Sequence, residues 1–266
     1  MLLDATRNHE ESLSDERLFG WHAALFPTGW SGLGRITVGD WRNDAKGPME
    51  VVSGRIGKER VHFQAPSQER LKNEMDTFIA WFNAEASLDP VIKSALVHYY
   101  FLTIHPFDDG NGRIARALAD LQLARADRTA FRFYSMSTQI QQEKKAYYHM
   151  LESCQKGSLD ISNWVEWYLH CLQRAIAASQ HMLDPVLEKA AFWKQHAGAS
   201  FHARQRVMLN RLLDGFQGKL SSSKWAELNG CSQDTAQRDI QDLIRRGILE
   251  KETAGGRSTS CRLCER

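Results

Sequence analysis

Apolar residues recur at helical spacing through most of this chain. From Leu71 to Phe82, the positions Leu71, Met75, Phe78, Ile79 and Phe82 share one helix face, and Pro66 and Ser67 supply the start. Asp89 followed by Pro90 marks the next helix start. Its apolar positions (Val91, Ile92, Ala95, Leu96, Tyr99, Leu102) read as core until Pro106 disfavours helical geometry at His105. Ile114, Ala117, Leu118 and Leu121 then carry a further helix that opens near Asn111. Ahead of these, residues 1–26 read as two short helices. Ser14 caps the second, whose Leu18, Trp21, His22 and Leu25 precede a stop at Pro27, with His22 as a packed histidine.

Two stretches break the helical period. Residues 27–48, with many Gly plus Trp30 and Trp41, read as an irregular loop. Met49–Ser53 and Arg60–Gln64, rich in Val and Phe, read as a hairpin of about 49–64. Beyond residue 130, Phe131–Ser135 is an extended link. Ser137 opens a helix through Tyr147, Tyr148 and Leu151. Asp160 opens another that carries Trp164, Trp167, Tyr168 and Leu172 to about Ser179, and a separate helix follows Pro185. The character changes near residue 200. A helix over 204–215, a short one over Ser221–Asn229, a Gly230-Cys231-Ser232 turn and a helix over Ser232–Arg246 precede a ribbon of Ile248–Lys251 and Ser258–Leu263 about Gly255-Gly256. Three helices followed by a ribbon resemble a winged helix-turn-helix.

Candidate chemistry concentrates at His105-Pro-Phe-Asp-Asp-Gly-Asn-Gly-Arg-Ile-Ala-Arg116. Gly110 and Gly112 let backbone amides approach a ligand, and the helix start offers free N–H groups to an anion. Arg113 and Arg116, three apart, share a helix face and can clamp one polyphosphate. Asp109 suits Mg²⁺, which binds through one or two carboxylates plus substrate phosphates. His105 is the natural general base. Phe107 reads as a pin into the core, and Asp108 as a solvated carboxylate. A capped turn between helices would explain Gly and Asn, but not a His, an Asp and two Arg gathered in twelve residues.

These residues resemble the signature of the Fic family: His105, Phe107, Asp109, Gly110, Asn111, Gly112, Arg113 and Arg116 fill every motif position. The resemblance implies a mainly α fold, with a Fic helical bundle and β-hairpin flap over residues 1–197 and a small C-terminal winged helix-turn-helix over 200–266. It implies protein adenylyltransferase activity, which moves AMP from ATP onto a Ser, Thr or Tyr hydroxyl with Mg²⁺. His105 would be the base and Asp109 the metal ligand. Asn111 would hold the α-phosphate, amides from Gly110 to Arg113 would form the nest, and Arg113 and Arg116 would grip the outer phosphates. It implies that the 49–64 hairpin docks the target protein by strand addition, with Val61 and His62 beside nucleotide. Tyr147 would lie against adenine; Gln155 stands where some relatives carry Asn. Core packing is an equal rival account of the tyrosines.

An inhibitory Ser/Thr-x-x-x-Glu-Gly/Asn helix of such relatives is not matched: Thr6–Glu10 and Ser12–Glu16 have the spacing, but Glu11 and Arg17 take the last place. With Met1–Ala5 starting helical and uncapped, the resemblance implies a shortened, less restrained form. The alternatives are a nucleotide-sensing DNA-binding regulator, or a Fic enzyme that removes AMP or transfers another phosphate-bearing group.

Composition adjusts this reading only at the edges. At 266 residues and 42% hydrophobic, the chain can fill one sizeable core plus a small second domain. There is no apolar run of membrane-spanning length, no signal-peptide layout, and an odd count of five spread Cys, so a cytoplasmic location with ordinary thiols is expected. The net charge of +2 excludes nothing. Residues 201–266 carry 12 Lys+Arg and 8 Asp+Glu, only mildly basic. The tail's long helix mixes Arg238, Arg245 and Arg246 with Asp234, Asp239 and Asp242, acids that would repel phosphates if they share the docking side. DNA binding is therefore left open, as are a homodimer and self-modification. Absence of Gly-x-x-x-x-Gly-Lys-Ser/Thr and His-Glu-x-x-His argues against a P-loop ATPase and a metalloprotease.

Overall fold

Short helices open the chain: α1 (Leu2–Arg7) and α2 (Asp15–Leu25). The Ser14 hydroxyl accepts from Arg17 N at 3.2 Å, the expected cap. The loop that follows holds a minimal antiparallel pair, β1 (Trp30–Ser31) with β2 (Gly34–Arg35). Next comes the expected hairpin, β3 (Glu50–Ser53) and β4 (Arg60–Gln64), then α3 (Gln68–Asn83), α4 (Pro90–Ile104) and α5 (Asn111–Asp127). The computed structural model describes residues 1–45, 47–55, 57–84, 88–252 and 260–264.

Packing begins with α4 and α5, the most extensively apposed helices of the first compact unit, Met1–Ser179. Asp89 caps α4 by accepting from Val91 N at 2.8 Å, with Pro90 at the first position where its missing donor costs nothing. Phe78 and Phe82 from α3 meet Phe101 from α4 and Phe107 from the loop after it, all wholly buried. Each such side chain contributes ~2–3 kcal/mol by leaving water. Polar clasps fix the layers. Asn83 exchanges two 2.8 Å bonds with the Leu13 backbone. The Lys93 ammonium donates to the Phe82 and Ala84 carbonyls at 2.9 and 3.0 Å, satisfying the end of α3.

Two helical expectations change. The helix expected from Ser137 is two, α6 (Met136–Gln142), capped by Ser135, and α7 (Lys144–Lys156), parted at Glu143. The two helices expected on either side of Pro185 are one, α8 (Ser162–Gln195). The turns around Pro185 are exposed, so water can serve the carbonyl that Pro185 leaves without a donor. Trp164 of α8 donates to the Ala95 carbonyl at 2.8 Å and ties the helix to α4.

The second compact unit is Gln180–Arg266, so the units divide within α8, ahead of the change of character near residue 200. The reason is Phe192, which packs with Phe201, Met208, Leu209, Trp225 and Leu243 in a separate core. Here α9 (Ala203–Leu213) precedes α10 (Ser222–Asn229) and α11 (Gln233–Arg245). Gly230, at φ +60°, makes the tight turn between α10 and α11, and Ser232 caps α11. A ribbon of β5 (Leu249–Lys251) and β6 (Cys261–Leu263) closes the unit. The expected Gly255-Gly256 turn and the start of the second strand at Ser258 lie outside the described residues. All five cysteines are free thiols, and among the described residues no helix is long and apolar enough to cross a membrane.

Candidate active site

The loop between α4 and α5 is held from both sides. The end of α4 is a left-handed cap: His105 sits at φ 53°, ψ 57°, with its N–H on the Phe101 carbonyl at 3.0 Å. That conformation costs a non-glycine residue roughly 1–2 kcal/mol, so neighbouring contacts must hold it. His105 Nδ1 lies 3.2 Å from the Leu102 carbonyl, which can only accept, so Nδ1 carries the proton and Nε2 the lone pair. Burial lowers its pKa to about 4, and the imidazole is neutral near pH 7.

Arg42 supplies the counter-hold, and nothing in the spacing of the sequence marked it. Its side chain is wholly buried. The backbone N–H of Arg42 donates to the Pro106 carbonyl at 3.0 Å. Its guanidinium donates to the His105 carbonyl at 2.8 Å, to the Pro66 carbonyl, and to Asp44 at 2.7 Å. One planar fork thus joins the α4–α5 loop, the 27–48 loop and the chain leaving β4.

Beneath the loop, Phe107 is the expected pin, stacked on His22 with ring centroids 4.1 Å apart. His22 is buried, with desolvation lowering its pKa, and its ring nitrogens meet the Asp109 carbonyl at 3.1 Å and Gly39 N at 3.3 Å. Its place on the buried stripe with Leu18, Trp21 and Leu25 was the sequence signal for packing, although not for bracing this loop. Asp108 is not the free solvated carboxylate the sequence suggested: it accepts from Thr37 N at 2.8 Å and pins the preceding loop.

The cradle is narrower than expected. Asn111 is 2% exposed, and its carboxamide is committed to Phe107, accepting from its N–H at 3.0 Å and donating to its carbonyl at 2.7 Å. Rather than reaching for phosphate, the carboxamide staples the loop. The Gly110 amide is taken by the Asp109 carboxylate at 2.5 Å and the Arg113 amide by the Gly110 carbonyl at 2.9 Å. Among the described residues, the amides of Asn111 and Gly112 have no acceptor and remain for an anion. Gly110 is required twice over: its φ is +87°, and a Cβ there would lie 2.9 Å from the Phe26 ring.

Asp109 also accepts from the Ser31 hydroxyl, and its side chain is about half exposed (47%). Arg113 lies 3.8 Å from Asp109 with its guanidinium 4.6 Å over the Phe26 ring. Arg116 adjoins the Tyr147 hydroxyl instead. The two guanidinium groups therefore rest on different partners and are not gathered on one. Tyr147 is 4% exposed and packs among His98, Trp164 and Trp167, so core packing accounts for it here, while Tyr148 is the exposed member of the pair. Gln155 reaches the Thr103 hydroxyl at 3.4 Å.

The hairpin faces α7 through Glu152, which no motif in the sequence marks. Val51 pairs with Phe63 and Val52 with Val61, which leaves His62 as the extra residue of a β-bulge. His62 Nδ1 lies 2.7 Å from Glu152 of α7, and its Nε2 lies 2.6 Å from the Ser53 hydroxyl. Arg60 and Lys156 meet the same Glu152 carboxylate at 2.7 Å. Lys156 foremost, then His62 and Arg60, hold that carboxyl down at about 2. Val61 stays exposed. Of the two inhibitory-type spacings, Thr6–Glu10 and Ser12–Glu16, neither lies on one helix.

The arrangement offers a neutral imidazole, two free amides at a helix start, two guanidiniums and one accessible carboxylate. Residues 12–123 match the Fic/DOC family. A protein adenylyltransferase Fic of Drosophila virilis is 36% identical over 104 residues, 38% of this chain and 20% of that protein. The chain thus spans about a fifth of the length of the curated relatives it matches. A solved Fic family protein of Desulfovibrio desulfuricans covers all of this chain and 73% of its own length at a TM-score of 0.54 and 21% identity, a likeness of fold. A Fic domain containing signaling protein of Bacteroides thetaiotaomicron is 25% identical, with a TM-score of 0.53 over 67% of this chain and 66% of that one.

Proposed function

We propose, from the premise that residues 12–123 are a Fic-family domain, that this chain is a protein adenylyltransferase. A target Ser, Thr or Tyr oxygen attacks the α-phosphorus of ATP, and the bond from that phosphorus to the bridging oxygen breaks. AMP stays on the target and pyrophosphate leaves. The hydroxyl proton passes to His105 Nε2. The observation that carries this reading is the state of His105: neutral, with Nδ1 on the Leu102 carbonyl and Nε2 without a partner among the described residues, so able to accept.

The remaining groups position and neutralise, which is most of what such a transfer requires. The Asn111 and Gly112 amides and the α5 N-terminus meet the phosphates. Arg113 and Arg116 leave Phe26 and Tyr147 to pair with them, which exchanges an aromatic and a hydroxyl contact for charge-assisted bonds. Asp109, an accessible hard-oxygen ligand, fits Mg²⁺, which would offset phosphate charge when bound. Val61 and His62 lie on the hairpin that we assign to target docking by strand addition. Residues 200–266 we read as a winged helix-turn-helix module, from α9, α10, α11 and the β5–β6 ribbon.

Incubation with Mg²⁺ and α-labelled ATP, wild type beside His105→Ala, tests the reading. Label on protein from the wild type alone supports it. Transfer of γ-label instead, or equal labelling by both proteins, overturns it.

A further inference from the structure

The second compact unit has no part in the proposed transfer, and its charges are arranged in a way that the sequence could not foretell. Of the three acids on α11, Asp239 is turned inward, and Asp242, its side chain 36% exposed, is taken up by neighbouring donors. Asp239 is 6% exposed and takes a forked contact from Arg204 of α9 at 2.8 and 3.2 Å. Asp242 accepts from Gln205 at 3.1 Å and Arg246 at 3.3 Å. Ala236, Ile240 and Leu243 fill the rest of that inner side. What α11 leaves to solvent is a stripe at helical spacing: Asp234, Gln237, Arg238, Gln241 and Arg245.

That stripe is rich in side chains that read base edges. A guanidinium pairs with O6 and N7 of guanine, and a carboxamide with N6 and N7 of adenine. Arg238 makes no ion pair among the described residues, and Arg245 reaches Asp242 only at 3.5 Å. The Gly230 turn sets α10 across the start of α11, where Gln233 meets Ser222 at 3.4 Å. Lys219 and Ser223 at that end offer a charge and a hydroxyl for phosphate, and Lys224 sits in an exposed pair with Glu227 at 3.1 Å that a phosphate would have to displace.

We propose that the exposed face of α11 binds duplex DNA, lying in the major groove with Gln237, Arg238, Gln241 and Arg245 toward the bases. A protein partner would gain little from this face, which has no exposed aromatic or aliphatic anchor. A duplex offers acceptors matched to each donor on it. The affinity is salt-sensitive and modest, because the unit is only mildly basic.

Fluorescence polarisation of the full chain with a labelled duplex pool of random sequence, about 25 base pairs long, tests this. Binding at about 50 mM salt should weaken at least tenfold by about 200 mM. The Arg238→Ala/Arg245→Ala pair, with an unchanged melting temperature, should lose about tenfold or more at low salt. Gln237→Ala/Gln241→Ala should change which sequences are recovered by selection from the pool. His105→Ala should bind as the wild type does, which keeps this result separate from the transferase assay. No binding at low salt, or full affinity in the doubly substituted Arg variant, overturns the proposal; so does binding to protein alone.

Discussion

Arg42 Nε donates to the His105 carbonyl at 2.8 Å, and the guanidinium that does so is sealed from solvent. A buried fork with three acceptors, joined by the Arg42 backbone N–H on the Pro106 carbonyl, holds a left-handed histidine in place. Arg42→Lys keeps the charge but loses the fork. It should lower kcat by roughly tenfold to a hundredfold with little change in KM for ATP, because the base is displaced rather than removed. Arg42→Ala should cost about 3 kcal/mol of stability by leaving buried carbonyls and Asp44 unpaired. Steady-state kinetics and denaturant unfolding measure the two effects. An unaltered kcat in Arg42→Lys would show that the fork only stabilises.

The acid limb of activity should lie near His105's depressed value rather than at an ordinary imidazole's. With the folded value at about 4, the base is unprotonated from about pH 5 upward and is lost as pH falls through 4. A kcat/KM profile of AMP transfer should therefore stay level down to about pH 5. His105→Ala should reduce kcat by about 10²–10⁴-fold across the range. An acid limb near pH 6.5 would show that the loop leaves the imidazole solvated.

His98 makes an acid-sensitive joint in the core. It is buried, and its Nε2 lies 3.0 Å from the Tyr147 hydroxyl. Arg116 can only donate to that hydroxyl, so the phenol proton goes to a neutral His98. Desolvation holds the His98 value at about 3 against an ordinary 6.5. The unfolded chain takes up the proton below 6.5, while the folded chain refuses it until about 3. Stability is whole above pH 6.5 and drains away as pH falls toward 3, by on the order of a few kcal/mol. Urea midpoints against pH measure it, and His98→Gln should flatten that slope.

Gly110→Ala places a methyl group 2.9 Å from the Phe26 ring and at a φ of +87°. The expected cost is ~1–3 kcal/mol, with weakened ATP binding, since α5 begins there. Phe26→Leu on top of Gly110→Ala should restore only part, because it removes the collision and leaves the backbone strain. Full restoration by that second change would mean that φ was never the constraint.

Glu152→Ala should release the hairpin. His62 and Arg60 would lose their shared anchor on α7, so amide exchange within Arg60–Gln64 should quicken and KM for a protein target should rise while KM for ATP holds. Hydrogen-exchange mass spectrometry reads the first effect. Unchanged exchange would show that strand pairing alone holds β4.

Helix spacing made α3, α4 and α5 legible from the sequence, because one buried stripe per helix leaves a periodic trace, and local caps such as Ser14 and Asp89 mark the ends. The site was legible as a list of twelve residues but not as an arrangement. Asn111 could not be seen to bond Phe107, nor Arg116 to sit at Tyr147, since neither contact leaves a period. Arg42 lay in a loop with no pattern at all, and its partners at Pro66 and His105 come from distant parts of the chain. Pro185 misled for the opposite reason: a strong local rule yielded because the helix there faces water.

The Asn111 carboxamide that staples Phe107 has a thermodynamic corollary. A loop whose curvature is fixed by its own amide has little left to freeze when nucleotide arrives. Calorimetry should therefore find a small entropic penalty in the wild type. Asn111→Ala should bind nucleotide with a larger one, its enthalpy of association almost preserved.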